Sequence, residues 1–235
     1  MPEQHFIFKS MKRLLFAFQL LIISGSVYSQ YIRIDWQHCY TYNYKEAQST
    51  KDVVKAGNGL FILRDREENY PYGYTKIYLE KTDMNDNLLW SKYFSSAQGA
   101  GLGQIVKADE NNFYIVGITS HGGGDVTYNP YENTINIWVI KIDSSGNKIW
   151  DKVFGGTGGD YPWDISVTTD GGVIIAATFA SYYGGDYVGD ATNYYGFWDF
   201  WVVKLNKDDD HIEWDFTLGS SETEYGQTVI ATADG

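Results

Sequence analysis

The residues of this chain best suited to chemistry are aromatic rings set in polar, glycine-rich stretches. Tyr128 and Tyr131 stand in one such stretch, 120–136, and Tyr182, Tyr183, Tyr194 and Tyr195 stand in a second. Trp163 closes the run Tyr161-Pro162-Trp163 shortly after Gly155-Gly156. Flat amphipathic rings among small residues are what adaptable binding loops use for stacking. The competing account is that the rings only hold long loops onto the sheet beneath. Gly124-Asp125-Val126 and Gly185-Asp186-Tyr187, the latter with Asp190 nearby, could offer carboxylate and carbonyl oxygens to a hard cation such as calcium. Aspartates that cap their own turns leave the same pattern. No Gly-x-Ser-x-Gly, His-Glu-x-x-His or phosphate-loop motif occurs. His5, His38, His121 and His211 are scattered, and no carboxylate pair recurs in a setting that would raise one pKa for acid catalysis. The reading is of a chain that binds rather than catalyses, with no catalytic residue, no resident cofactor, and calcium as the one ion its loops could take.

The elements that must position these rings repeat along the chain. Trp36, Trp90, Trp150 and Trp214 are spaced by 54, 60 and 64 residues. The phrases Tyr78-Leu79-Glu80-Lys81-Thr82-Asp83, Trp138-Val139-Ile140-Lys141-Ile142-Asp143 and Trp201-Val202-Val203-Lys204-Leu205-Asn206 precede the last three, and Phe94-Ser95-Ser96, Phe154-Gly155-Gly156 and Leu218-Gly219-Ser220 follow them. Self-similarity of this period marks a repeat architecture. Turn residues cut the repeat into four strands, read in the middle copy as 104–108, 113–119, 137–143 and 148–154. Ile137-Trp138-Val139-Ile140 is apolar at consecutive positions, which predicts a sheet covered on both faces. In such a blade successive connections alternate between edges. The second-to-third insertions and the fourth-to-first linkers therefore share one face, which carries the candidate rings. Tyr31 to Tyr42 matches a fourth strand alone, and Thr228 to Gly235 matches a first strand alone.

Composition and charge bound the rest. The chain is 17% aromatic with 25 glycines and 4 prolines, a mixture that fits short strands and tight turns and excludes disorder. Its net charge of −12 disfavours phosphate backbones and anionic lipid as partners. Cys39 is the single cysteine, so neither an internal disulfide nor a cysteine zinc site can form. Met11-Lys12-Arg13, the apolar run Leu14 to Ile23 and the small residues up to Ser29 read as a secretory signal peptide over 1–29, with 1–10 an upstream extension. That run is too short to span a membrane, so no membrane insertion is expected once the signal is removed.

Phe154-Gly155-Gly156-Thr157-Gly158-Gly159-Asp160, Thr169-Asp170-Gly171-Gly172 and Phe200-Trp201-Val202-Val203-Lys204-Leu205 together resemble a repeat of secreted β-propeller proteins of Bacteroidetes-type bacteria. The resemblance covers about residues 31 to 235 and is clearest over 148–235. The first repeat departs from it at Gly57-Asn58-Gly59 and Ser95-Ser96-Ala97. Such proteins often end in a type IX secretion sorting domain, and the resemblance implies a secreted or cell-surface location without implying an activity. Asp143-Ser144-Ser145-Gly146-Asn147-Lys148-Ile149-Trp150 also resembles two scaffold phrases of enzyme propellers. Its spacing misses the sialidase Asp-box and matches the tryptophan-docking phrase of quinoprotein dehydrogenases, which points to Trp90, Trp150 and Trp214 as residues that join blades.

The expectation is an all-β protein, an incomplete β-propeller of four-stranded antiparallel blades, of about seven when whole. The divisions are a closing strand at 31–44, blades at 45–97, 98–157 and 158–221, and the start of a fourth at 222–235. A two-sheet sandwich is the alternative architecture. The expected role is an adhesin-like binding or structural module that contacts an extracellular glycan or protein. The alternative is the scaffold of a quinoprotein-like or hydrolytic enzyme whose active residues lie elsewhere.

Overall fold

The computed structural model describes residues 47–67, 74–180, 185, 198–208 and 211–233. The segment 1–29 expected as a signal peptide, the strand expected at 31–44 with Trp36 and Cys39, the tyrosines at 182, 183, 194 and 195, and Asp186 and Asp190 lie outside the described residues. Among the described residues there are twelve strands and no helix. They are β1 (Ala47–Ala56), β2 (Gly59–Glu67), β3 (Thr75–Asp83) and β4 (Leu88–Phe94) in sheet I. Sheet II holds β5 (Ala100–Lys107), β6 (Asn112–Thr119), β7 (Asn136–Asp143) and β8 (Lys148–Phe154). Sheet III holds β9 (Asp160–Val167), β10 (Val173–Phe179), β11 (Asp199–Leu205) and β12 (Ile212–Leu218). Each sheet is an antiparallel meander in chain order, three separate sheets rather than the two of a sandwich.

Aspartates build the hairpin turns at 83–87 and 143–147. Asp143 accepts the backbone N–H groups of Ser145 and Asn147 at 2.8 Å each and the Asn147 side-chain amide at 2.9 Å. Asp83 makes the same three bonds to Asn85 and Asn87. A short carboxylate that satisfies its own turn's donors is why these positions read as turns in sequence. The Asp143 carboxylate is therefore occupied by its own turn, which is a scaffold role.

Register shows which side chains share a face, because directly paired residues of antiparallel strands point the same way. The pairings Phe61–Lys81–Trp90, Tyr114–Lys141–Trp150 and Ile174–Lys204–Trp214 occupy one station in the three sheets. Phe61, Leu63, Ile77 and Leu79 of sheet I meet Phe113, Ile115, Trp138 and Ile140 of sheet II in one core, with Trp90 packed against it. Tyr114, Val116, Ile137 and Val139 point the opposite way and meet Val173, Ile175, Trp201 and Val203 of sheet III, with Trp150 packed against that second core. The consecutive apolar residues of β7 thus divide alternately between two cores. Sheet II is covered on both faces, as its sequence pattern requires.

The first strands lie next to one another: β5 contacts β1 and β9 contacts β5. Asp52 of β1 accepts the N–H of Ile105 at 2.9 Å, and Gln104 donates to Asp164 of β9 at 3.4 Å. All these strands belong to one unit that spans Tyr42–Gly235.

Candidate functional site

Three linkers and the 120–135 insertion meet on one face of the sheets. Ala97 of the β4–β5 linker donates to the Gly122 carbonyl at 3.1 Å, and Ser95 exchanges bonds with Asp125. Asp125 N–H reaches the Ser95 carbonyl at 2.8 Å, and Ser95 N–H reaches Asp125 Oδ2 at 3.0 Å. Gly124 makes this approach possible: its φ is 63°, and a Cβ there would lie 2.5 Å from the Ser95 carbonyl oxygen. On the other side, Asp160 donates to Ile135 O at 2.8 Å and Thr134 Oγ1 to Gly156 O at 3.1 Å. Gly156 pairs with Gly185, and Glu224 donates to Trp198 O at 2.7 Å. Among the described residues the connections at the opposite ends of the strands are short turns such as 144–147.

Asp151 of β8 anchors the insertion from below. It accepts Trp138 Nε1 at 2.9 Å, Thr127 N–H at 3.0 Å and Lys148 Nζ at 2.7 Å, and the Thr127 hydroxyl also donates to it. Burial pushes its carboxyl up, but the Lys148, Thr127 and Trp138 donors outweigh burial and hold the pKa below the ordinary carboxylate value. A depressed folded-state pKa gives stability that is complete above the unfolded value, about 3.9. That stability is lost as pH falls through the folded value. Melting temperatures of the wild type and Asp151→Asn from pH 2 to 7 should differ most above about pH 4 and converge toward pH 2. A difference that stayed constant across that range would show that Asp151 carries no such linkage.

The candidate rings sit differently on this face. Tyr128 is 71% exposed and projects from the insertion, whereas Tyr131 is half-buried and its carbonyl accepts the Asn136 side chain at 2.9 Å. Trp163 is 41% exposed and pins its Nε1 to Thr178 Oγ1 at 2.7 Å. It is the extra residue of a β-bulge, because β9 pairs Asp164 with Ala176 and Pro162 with Ala177 and leaves Trp163 between them. Bulges re-aim a side chain away from the regular alternation. Trp163 stands edge-to-face with Tyr225, 58% exposed, at 6.1 Å and 81°. Tyr161 and Trp198 form a second pair at 5.6 Å, with Gly159 beside both rings. The sequence reading named Trp163 and Tyr161 but missed Tyr225 and Trp198. The available signal was position: Tyr225 follows Leu218 by seven residues, as Tyr161 follows Phe154.

As for ions, Asp125 is committed to the Ser95 backbone, which fits a loop tie rather than a ligand. Among the described residues no group of three or more His, Cys, Asp or Glu side chains is placed to hold a metal ion. No known family model matches the chain, and no curated protein matches it.

Proposed function

We propose that this is a secreted or cell-surface binding module of the bacterial propeller kind. In this reading the three sheets are successive blades, and the face of insertions and linkers takes an extracellular glycan. Support for blades comes from the adjacent first strands and from a middle sheet buried on both sides. The observation that carries the binding reading is the exposed Trp163–Tyr225 pair, held open by a bulge and a hydrogen bond on the face where the loops converge. Exposed rings fixed in this way offer apolar surface that a pyranose can stack on without the protein first ordering its own side chains. The acidic chain favours neutral or cationic sugars over anionic ones.

Screening against immobilised neutral polysaccharides tests this reading. Trp163→Ala and Tyr225→Ala should each weaken binding about tenfold, the equivalent of about 1.4 kcal/mol. Their circular dichroism and melting temperature should stay close to wild type. Retained affinity in both variants would refute the aromatic platform.

A further inference from the structure

The bulge that re-aims Trp163 recurs once in each sheet. In β1 the pairings Thr50–Arg64 and Asp52–Leu63 leave Lys51 unopposed. In β5 the pairings Gly101–Ile118 and Gln104–Val116 leave residues 102 and 103 facing Gly117 alone. Each bulge stands directly before a residue that ties neighbouring first strands together. Asp52 accepts the N–H of Ile105 in β5, and Gln104 donates to Asp164 in β9. The three bulges therefore lie in one row across β1, β5 and β9.

The bulged side chains at the two ends of this row are fastened at the same place. Trp163 donates to Thr178, which lies two residues beyond the partner of Asp164. Asp65 lies two residues beyond the partner of Asp52, and Lys51 Nζ meets its Oδ2 at 3.2 Å. The linker residue beside this place also repeats. Tyr225 follows Leu218 by seven residues and meets Trp163, and Gly101 follows Phe94 by seven residues. A Cβ at Gly101 would meet Asp65 Oδ2 at 3.7 Å and Thr75 Cγ2 at 3.6 Å, so Gly101 lies beside the ion pair without a ring to cover it. Sheet I thus holds Lys51, Asp65 and Gly101 where sheet III holds Trp163, Thr178 and Tyr225.

The chemistry changes along the row. At one end an indole and a phenol offer faces for stacking. At the other an ammonium and a carboxylate, 26% and 14% exposed, offer a donor and an acceptor to hydroxyl groups. An ion pair at the surface adds little to stability by itself. We propose that Lys51 and Asp65 form a second, hydrogen-bonding subsite, and that the ligand is an oligosaccharide running along the row from Trp163 and Tyr225 to this pair. Packed sheets lie about 10 Å apart, so stations two sheets apart take different units of one sugar chain. The inference rests on the glycan reading of the Trp163–Tyr225 platform and goes beyond it by fixing the ligand as a chain of several units.

Titration calorimetry with cellobiose, cellohexaose, maltose and maltohexaose tests it. In at least one series the wild type should bind the hexamer tenfold or more tightly than the dimer. Lys51→Ala removes the donor, and Gly101→Tyr places a ring over the ion pair from a position whose Cβ contacts are ordinary. Each should bring the hexamer down to the affinity of the dimer, leave dimer binding unchanged and keep the melting temperature close to wild type. Trp163→Ala should weaken both ligands. Equal affinity for dimer and hexamer in the wild type overturns this inference and leaves the platform standing. So does unchanged hexamer affinity in both sheet I variants while Trp163→Ala still weakens both ligands. Undiminished binding by Trp163→Ala, or binding of none of the four sugars, refutes the platform itself, and the second subsite falls with it.

Discussion

Trp138→Ala is expected to lower the free energy of unfolding by about 4 kcal/mol, at the upper end of what large-to-small core changes cost. Trp138 is fully buried in the core between sheets I and II, so the cavity has close-packed walls on both sides. Its Nε1 also donates to the buried Asp151, and losing that donor weakens the anchor of the 120–135 insertion. Trp138→Phe keeps most of the ring and loses the donor, so it should cost about 1–2 kcal/mol, in the range of a lost hydrogen bond to a buried charged group. Trp201 repeats the arrangement in sheet III, fully buried, with Nε1 on Asp215 Oδ2 at 3.1 Å and Phe154 and Phe179 each at 5.6 Å. Trp201→Ala should therefore fall in the same range. Urea unfolding followed by circular dichroism reads all three. A loss under 1 kcal/mol for either alanine variant would mean that these tryptophans do not hold the sheets together.

Gly146→Ala should cost about 2–3 kcal/mol, more than its backbone conformation alone explains. Gly146 has φ 73°, where a side chain costs about 1–2 kcal/mol. Asp86 at the same station of sheet I's turn tolerates φ 68° with a side chain, so conformation does not by itself demand glycine there. The added demand comes from Trp90, whose ring tip would lie 2.5 Å from a Cβ at Gly146. Lys92 closes the same junction by donating to Ser145 O at 2.8 Å and Asn147 Oδ1 at 2.7 Å. In a Trp90→Ala background the clash is gone, and the cost of Gly146→Ala should fall to about 1 kcal/mol. The resulting coupling of about 1–2 kcal/mol is in the range for residues in direct contact. Additive losses in the double-mutant cycle would show that Trp90 does not seat on this turn.

The two parts of the molecule differ in how far they could be read in advance. Turn positions were legible because Asp143 and Asn147 satisfy each other's donors within five residues, and that chemistry stays local. The two-faced burial of β7 was legible because Ile137-Trp138-Val139-Ile140 offers no polar residue to either side. Strand β5 starts at Ala100, before the expected Gln104, because a register shift lets Ala100 and Gly101 pair with Thr119 and Ile118 across a bulge. Glycine-rich sequence of that kind has no strand signal of its own, so the partner strand sets the boundary.

The sequence by itself determined the grouping of strands in fours, the turns and the apolar stations, since periodicity and turn chemistry act over a few neighbouring residues. Only the tertiary structure decided which rings are usable. Trp163 faces outward because a bulge against β10 shifts it out of alternation, and Tyr225 meets it because Gly226 N–H reaches Thr178, the residue that also holds Trp163, at 3.3 Å. Trp214 carries the same local phrase as Trp90 and Trp150, yet it is more exposed than either. Its local sequence gives it the same orientation, but burial depends on a neighbouring sheet, and short-range sequence does not encode that neighbour.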